Sequence, residues 1–168
     1  ASKGRLGSLL VRISSLGYGV PGIVMGTSLV YLGLQLPFIY QTTAMLVFGY
    51  ILRFLPLTLG PLREALERME GNLPLAARSL GASPLETFMR IRLPLLLPGI
   101  FSGLALVFLE AMRELPLTLL IRPTGMETLT TRLWQVYEAG YFGEAAMPGL
   151  ILIFVSCLAL LLILRSEK

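Results

Sequence analysis

Ten carboxylates, no histidine and one cysteine are the reactive inventory of this chain, and every carboxylate is a glutamate. A Ser-His-Asp or Cys-His arrangement needs a histidine to move a proton, so neither can form here. A zinc site needs several His, Cys or carboxylate ligands brought together. Cys157 stands inside an apolar run, where a packed and inert thiol is the ordinary state. A single cysteine also gives no disulfide framework within the chain. Glu110, Arg113 and Glu114 stand together at the end of an apolar stretch. Two carboxylates and a guanidinium at that spacing suit a charge cluster at a membrane surface. Ionisable groups close to apolar spans are also functional by default, which makes an outer gate or a contact with an extracytoplasmic protein the second reading.

The elements that position this group are membrane helices. The 168 residues are 55% hydrophobic and 14% charged, with mean hydropathy +0.76, whereas a soluble domain carries about 25% charged residues. Four stretches are apolar enough to span a bilayer: residues 20–36, 38–59, 95–112 and 145–164. A span needs about 20 apolar residues, within a range of about 17–25, so the first is at the short end. The fold class predicted is an all-α polytopic bundle. The chain begins Ala-Ser-Lys and has no signal-peptide layout, and it is expected to be part of a longer polypeptide.

Lysine and arginine placement orients the bundle. Four spans put residues 1–16, the 61–94 loop and the C-terminus on one side, with ten of the 14 basic residues. Arg53, one to two turns from the end of the second span, is expected to snorkel to the same face, making eleven. Only Arg113, Arg122 and Arg132 fall on the other side. The large loop and the C-terminus are therefore expected in the cytoplasm. In the outer segment, Leu133, Trp134, Tyr137 and Tyr141 recur at helical spacing and predict an interfacial helix with an aromatic anchor. Gly22 and Gly26, and again Gly99 and Gly103, form four-residue pairs that let helix backbones approach closely.

The 61–94 loop carries a polar stretch, "LAARSLGASPLETFMRIRLP". Asn72 can cap a helix with Pro74 in its first turn, which puts Leu73, Ala76, Ala77 and Leu80 on one face. Gly81 then stands where a helix ending in a left-handed residue wants glycine. Ser83 caps a second helix with Pro84 at its first position and Glu86 at its third. Pro94 is expected to stop or kink the run before the third span. Composition alone is compatible with an ordinary helical loop. A DNA-binding helix-turn-helix fails on context, because spans on both sides hold the second helix away from any major groove. No nucleic acid is expected as a partner.

The stretch also resembles the cytoplasmic coupling loop of ATP-binding-cassette importer permeases, whose pattern is E-A-A-x3-G-x9-I-x-L-P. Here Ala76, Ala77, Gly81, Ile91, Leu93 and Pro94 keep every spacing, while Leu75 stands where the pattern has its first Glu. A surface ion pair contributes only about 0–1 kcal/mol, so docking by shape survives that departure. The resemblance extends through "FGYILRFLPLTLGPLREAL" upstream and "LPLLLPGIFSGLALVFLEAMRELPLTLLIRPTG" downstream, nearly the whole chain. "MRELPLTLLIRPTG" (Met112–Gly125) is similar to a stretch of ferric-iron importer permeases, with thiamine, polyamine, sulfate and phosphonate permeases as near relatives.

The resemblance implies a type I importer permease fold and alternating access driven by an ATPase dimer. It makes residues 1–168 the C-terminal part of a permease transmembrane domain, its other half being the missing N-terminal part of the same polypeptide. Leu75, Ala76, Ala77, Leu80, Gly81, Ala82 and Ser83 would be the element inserted into the ATPase, with Ile91, Leu93 and Pro94 fixing it to the third span. It implies a bacterial inner-membrane location, an extracytoplasmic substrate-binding protein as partner, and ferric iron as substrate. No cofactor or metal is expected on this chain, which catalyses nothing itself; ATP and Mg²⁺ belong to the ATPase subunits. The competing class is a channel or scaffold with no ATPase partner.

Overall fold

The structure, a computed structural model, describes residues 17–68, 77 and 79–166, and every regular element among them is helical. Helix α1 is Gly22–Gln35. Helix α2, Thr43–Phe54, passes through a 3-10 turn, Leu55–Thr58, into α3, Leu59–Arg68. After the loop, α4 (Pro84–Thr87) runs through a π-helical turn, Phe88–Arg92, into α5, Leu93–Arg113. Then come α6 (Pro116–Ile121), α7 (Leu129–Glu138) and α8 (Phe142–Ser166).

Among the described residues, three helical runs are long and apolar enough to cross a membrane: Thr43–Arg68, Pro84–Arg113 and Phe142–Leu161. The first expected span is shorter. With 14 residues, α1 is about 21 Å long at 1.5 Å per residue, less than a hydrocarbon core of about 30 Å. Pro21, with extended ψ, opens it, and Leu36 closes it before Pro37, whose ring disfavours helix in the preceding residue. The second expected span loses residues 38–42 to a tight turn, because the Thr42 side chain caps α2 by accepting from Met45 N at 3.3 Å. Gln41, just before it, takes a positive φ of 52°.

Of the two outcomes expected of Pro94, a stop does not occur: Pro84–Arg113 is one continuous run of 30 residues. A proline removes one i→i−4 bond and crowds the carbonyl four residues back. The wider π-helical turn over Phe88–Arg92, with Leu93 N donating to Phe88 O, lies where that conflict would fall and relieves it.

Segment 114–121 differs most from the expectation of an outer loop. Beyond the end of α5, α6 packs back between α1 and α2, and Leu117, Thr118 and Ile121 are fully buried. Leu29, Met45, Leu46, Leu117 and Ile121 form the core cluster. Glycine contacts set the levels. A Cβ at Gly26 would meet Leu120 and Leu117, and one at Gly49 would meet Ile121 and Leu29. A Cβ at Gly33 would meet Tyr40 and Met45. So α6 runs parallel to α1, and α2 runs antiparallel to both.

The second glycine pair seats α5 on the α2–α3 run. A Cβ at Gly99 would stand 2.6 Å from Ala65 Cβ and 2.7 Å from Pro61 O, and one at Gly103 would stand 3.1 Å from Thr58 Cα. The pairs read from sequence are therefore helix contacts. Gly99→Leu is expected to cost about 1–3 kcal/mol by overpacking, seen as a lower unfolding midpoint in detergent. Gly60→Ala, where a Cβ meets nothing within 4 Å, is the neutral control.

The aromatic outer segment forms α7 as read. Thr128 and Thr131 close a capping box at its start. Trp134, Tyr137 and Tyr141 stay exposed, with Trp134 and Phe142 in ring contact with Tyr137.

Candidate functional site

Two places hold the residues singled out from sequence. The first is the turn joining the 61–94 loop to the long helix. Leu75 and Ala76 lie outside the described residues, as do Asn72, Leu73 and Pro74. From Ala77 onward the local reading holds. Leu80 N and Ala82 N both donate to Ala77 O, at 3.2 and 3.1 Å. Gly81, between them, has φ +89°. The six-residue closure with a left-handed residue inside it is the Schellman ending of a helix, and glycine adopts that φ without steric cost.

Two residues on, the Ser83 side chain accepts from Glu86 N at 3.2 Å, with Pro84 in the first turn. Glu86 pairs with Arg90 one turn later at 3.0 Å. Helix end and helix start thus meet across Gly81 and Ala82 in a compact elbow. Its surface is apolar: Leu80 is 89% exposed and Leu85 67% exposed, with Phe88 and Met89 also open. Two leucines this bare in one small elbow form a surface to be covered, by lipid or by a partner. Ile91 and Leu93 are half-buried where the elbow enters α5, and Pro94 is exposed.

The second place is the end of α5, where the structure splits the expected cluster. Glu110 and Arg113 pair with each other across one turn, with Arg113 largely exposed. Glu114 turns the other way and is 7% exposed. Its Oε2 accepts from Arg53 Nε at 3.0 Å and its Oε1 from Leu117 N at 3.1 Å. The carboxylate therefore caps α6 while it binds a guanidinium. Arg53 Nη1 also donates to Val20 O at 2.5 Å.

Arg53 does not snorkel, which corrects the reading of its place. It is the eleventh residue of the stretch Thr43–Leu62 that precedes the first charge of α3, hence about 15 Å from either end at 1.5 Å per residue. From there an inward partner is nearer than the surface. One turn along the same interface, Tyr50 Oη and Thr118 Oγ1 share a hydrogen bond of 2.6 Å.

Sequence reasoning also passed over the loop after α6. Arg122 donates to Met126 O at 2.7 Å and to Thr131 Oγ1 at 3.3 Å. With its amide oriented to satisfy both neighbours, Gln135 accepts from Arg122 and donates to Glu127, each at 3.0 Å. Thr124 Oγ1 donates to Gln41 Oε1 at 3.0 Å, which ties this loop to the turn after α1. An arginine directly before a Pro-Thr-Gly turn, with threonines following, was the available signal. Among the described residues no group of three His, Cys, Asp or Glu side chains that could hold a metal ion comes together.

Comparison with known proteins fits this architecture. The chain is 33% identical over 146 residues to the Fe(3+)-transport system permease protein FbpB 2 of Haemophilus influenzae, covering 86% of this chain and 29% of that protein. It is 32% identical over 161 residues to the spermidine/putrescine transport system permease protein PotC homolog of Mycoplasma pneumoniae, covering 94% of this chain and 56% of the relative. It is 31% identical over 111 residues to the putative 2-aminoethylphosphonate transport system permease protein PhnV of Salmonella typhimurium, covering 66% of this chain and 42% of that protein. The chain thus spans between about a third and somewhat over half of each of these relatives. Residues 1–166 match the family described as binding-protein-dependent transport system inner membrane component. With that match over almost its full length, and an all-helical membrane architecture beneath it, the chain belongs to the family of binding-protein-dependent transport system inner membrane components.

Proposed function

We propose that this chain is the permease part of an ABC-type importer, passing its substrate through the membrane by alternating access under the drive of a cytoplasmic ATPase dimer. The observation that carries this is the elbow at residues 77–88. It offers exposed Leu80 and Leu85 on a rigid turn at the start of a helix of 30 residues. A body that grips the elbow moves the helix with it, because Pro84–Arg113 is one continuous helical run, the π-helical turn included.

In this reading the loop and the C-terminus face the cytoplasm, and Leu75, Ala76, Ala77, Leu80, Gly81, Ala82 and Ser83 enter a groove of the ATPase. ATP and Mg²⁺ are bound by those subunits, and the permease contributes motion rather than catalysis. Substrate arrives on an extracytoplasmic binding protein, and Glu110 and Arg113, one turn or less from Glu114 and so near the level of Arg53, are the outer gate on this chain. A second permease half completes the path across the bilayer.

Ferric iron is the substrate proposed, on the "MRELPLTLLIRPTG" stretch and on the relative that covers 86% of this chain. Relatives named for polyamines and a phosphonate make those the competing substrates. Uptake of radiolabelled ferric iron, spermidine and 2-aminoethylphosphonate in a deletion strain decides among them, and iron uptake that survives deletion removes the first choice. For the docking itself, Leu80→Asp with Leu85→Asp is expected to leave insertion and melting unchanged, since both side chains are exposed. Recovery of the ATPase on affinity purification should fall at least about tenfold, the ratio corresponding to roughly 1.4 kcal/mol of binding. Undiminished recovery with normal transport would sink the docking reading.

A further inference from the structure

Glu114, Arg53 and Val20 meet where the long helix ends, and none of the functions above uses them. We propose that the Arg53–Glu114 ion pair is a transmission joint: it pins the break between α5 and α6 to α1 and α2, so that movement of the elbow at Pro84 reaches the inner bundle. The proposal deepens the alternating-access reading and rests on it.

The geometry favours a joint over a ligand site. Both carboxylate oxygens of Glu114 are engaged, one by Arg53 and one by the Leu117 amide. The guanidinium is engaged twice, by Glu114 and by the Val20 carbonyl. Both side chains are withdrawn, at 16% and 8% exposure. That arrangement leaves a substrate little room beside the pair. Four segments converge instead: the entry to α1, the last turn of α2, the break, and the first turn of α6. Gly22 completes the fit, since a Cβ there would overlap Glu114 Oε1.

An ion pair is an expensive way to hold two helices together inside a membrane. Apolar side chains of similar volume hold as well or better, and what a buried pair adds is a fixed relative position. The position fixed here is mechanically decisive. Helix Pro84–Arg113 has 30 residues, about 45 Å end to end. At Glu114 the backbone leaves the helix, with φ −75° and ψ 113°. Two residues later α6 begins, with three residues fully buried between α1 and α2. When the elbow moves, the α2–α3 run is carried through the Gly99 and Gly103 contacts, and the chain beyond can either flex at residues 114–115 or carry α6 and α1 as well. The ion pair closes the first option, because flexing there separates Glu114 from Arg53 and uncaps α6.

The test uses the whole transporter in proteoliposomes, in a cysteine-free background that includes Cys157→Ala, with spin labels on Phe38→Cys and Tyr141→Cys. Both positions are exposed, on the α1–α2 turn and beside α7. Trapping the ATP state changes the label separation in the otherwise unaltered transporter. In Arg53→Met with Glu114→Gln, the amide still accepts from Leu117 N and no charge is buried. This variant is expected to keep its ATPase and hydrolyse ATP within about threefold of normal, while the ATP-driven change in separation falls to less than a quarter. A full-sized change in that variant would overturn the joint and leave the pair a packing feature. If the double variant does not assemble, Arg53→Lys decides, since an ammonium keeps the charge but cannot hold Glu114 and Val20 in one planar fork. A reduced change with normal melting supports the joint, and a full change overturns it. Loss of the ATPase from the Leu80→Asp, Leu85→Asp transporter reports on docking alone. Absence of any ATP-driven change without substitutions at 53 and 114 points to failure of the alternating-access reading rather than of the joint.

Discussion

Arg53→Ala is expected to lower the unfolding midpoint of the detergent-solubilised protein by about 10 °C. Removing the cation leaves Glu114 buried between α2 and α6 with its Leu117 hydrogen bond and nothing to balance its charge. Breaking a buried pair by deleting one partner costs about 3–5 kcal/mol, and in a domain of this size each kcal/mol moves the midpoint by about 2–4 °C. Arg53 also closes the entry to α1 through the Val20 carbonyl, which loses its partner at the same time. Glu114→Ala is expected to cost as much, for the mirror reason: an unpaired guanidinium near the middle of a span, plus an uncapped α6. The double replacement Arg53→Met with Glu114→Gln should recover most of that loss, since no charge remains. Equal destabilisation by the single and double variants would show that the side chains matter only through volume. The measurement is a melt followed by circular dichroism, with ATPase assembly scored separately.

Much of this architecture is legible before any coordinates. The elbow is written in local chemistry: Gly81 for a left-handed turn, Ser83 and Pro84 for a helix start, Glu86 four residues before Arg90. Such signals act within one turn of chain, which is why they survive in any tertiary setting. The glycine pairs also point to their contacts, because a missing side chain has meaning only where a neighbour comes close.

Two failures of the sequence reading share one physical source. Hydropathy reports how greasy a segment is, not where it folds. The apolar residues of α6 follow Glu110, Arg113 and Glu114, so charge placement assigns them to the outside. The chain instead turns back and buries them against α1 and α2. Arg53 had a comparable ambiguity. A long basic side chain can snorkel or pair, and only the position of Glu114 decides between them. That Pro94 does not stop the helix has a different reason, since a π-helical turn upstream gives a proline room that an ideal α-helix denies it.

The other large effect is expected at Gly81, and here stability and function should separate. Its φ of +89° lies where a β-branched residue is strained, yet a Cβ built there meets nothing within 4 Å. Gly81→Val therefore creates no clash with the bundle, only a backbone penalty confined to the elbow. The elbow relaxes by opening its six-residue closure, which separates Ala82 N from Ala77 O and swings Leu80 away from Leu85. Melting of the spans is expected to stay within about 2 °C, since a local strain of about 1 kcal/mol is absorbed where the chain is free to move. ATPase recovery and transport should fall at least about tenfold, because the docking surface no longer has one shape. Gly81→Asn separates the cause: asparagine tolerates the left-handed region far better than valine, so it is expected to keep most of the activity despite its larger side chain. If Asn and Val were equally damaging, the fault would lie in bulk against the ATPase rather than in the turn. If both were harmless, the rigid elbow would have no part in coupling.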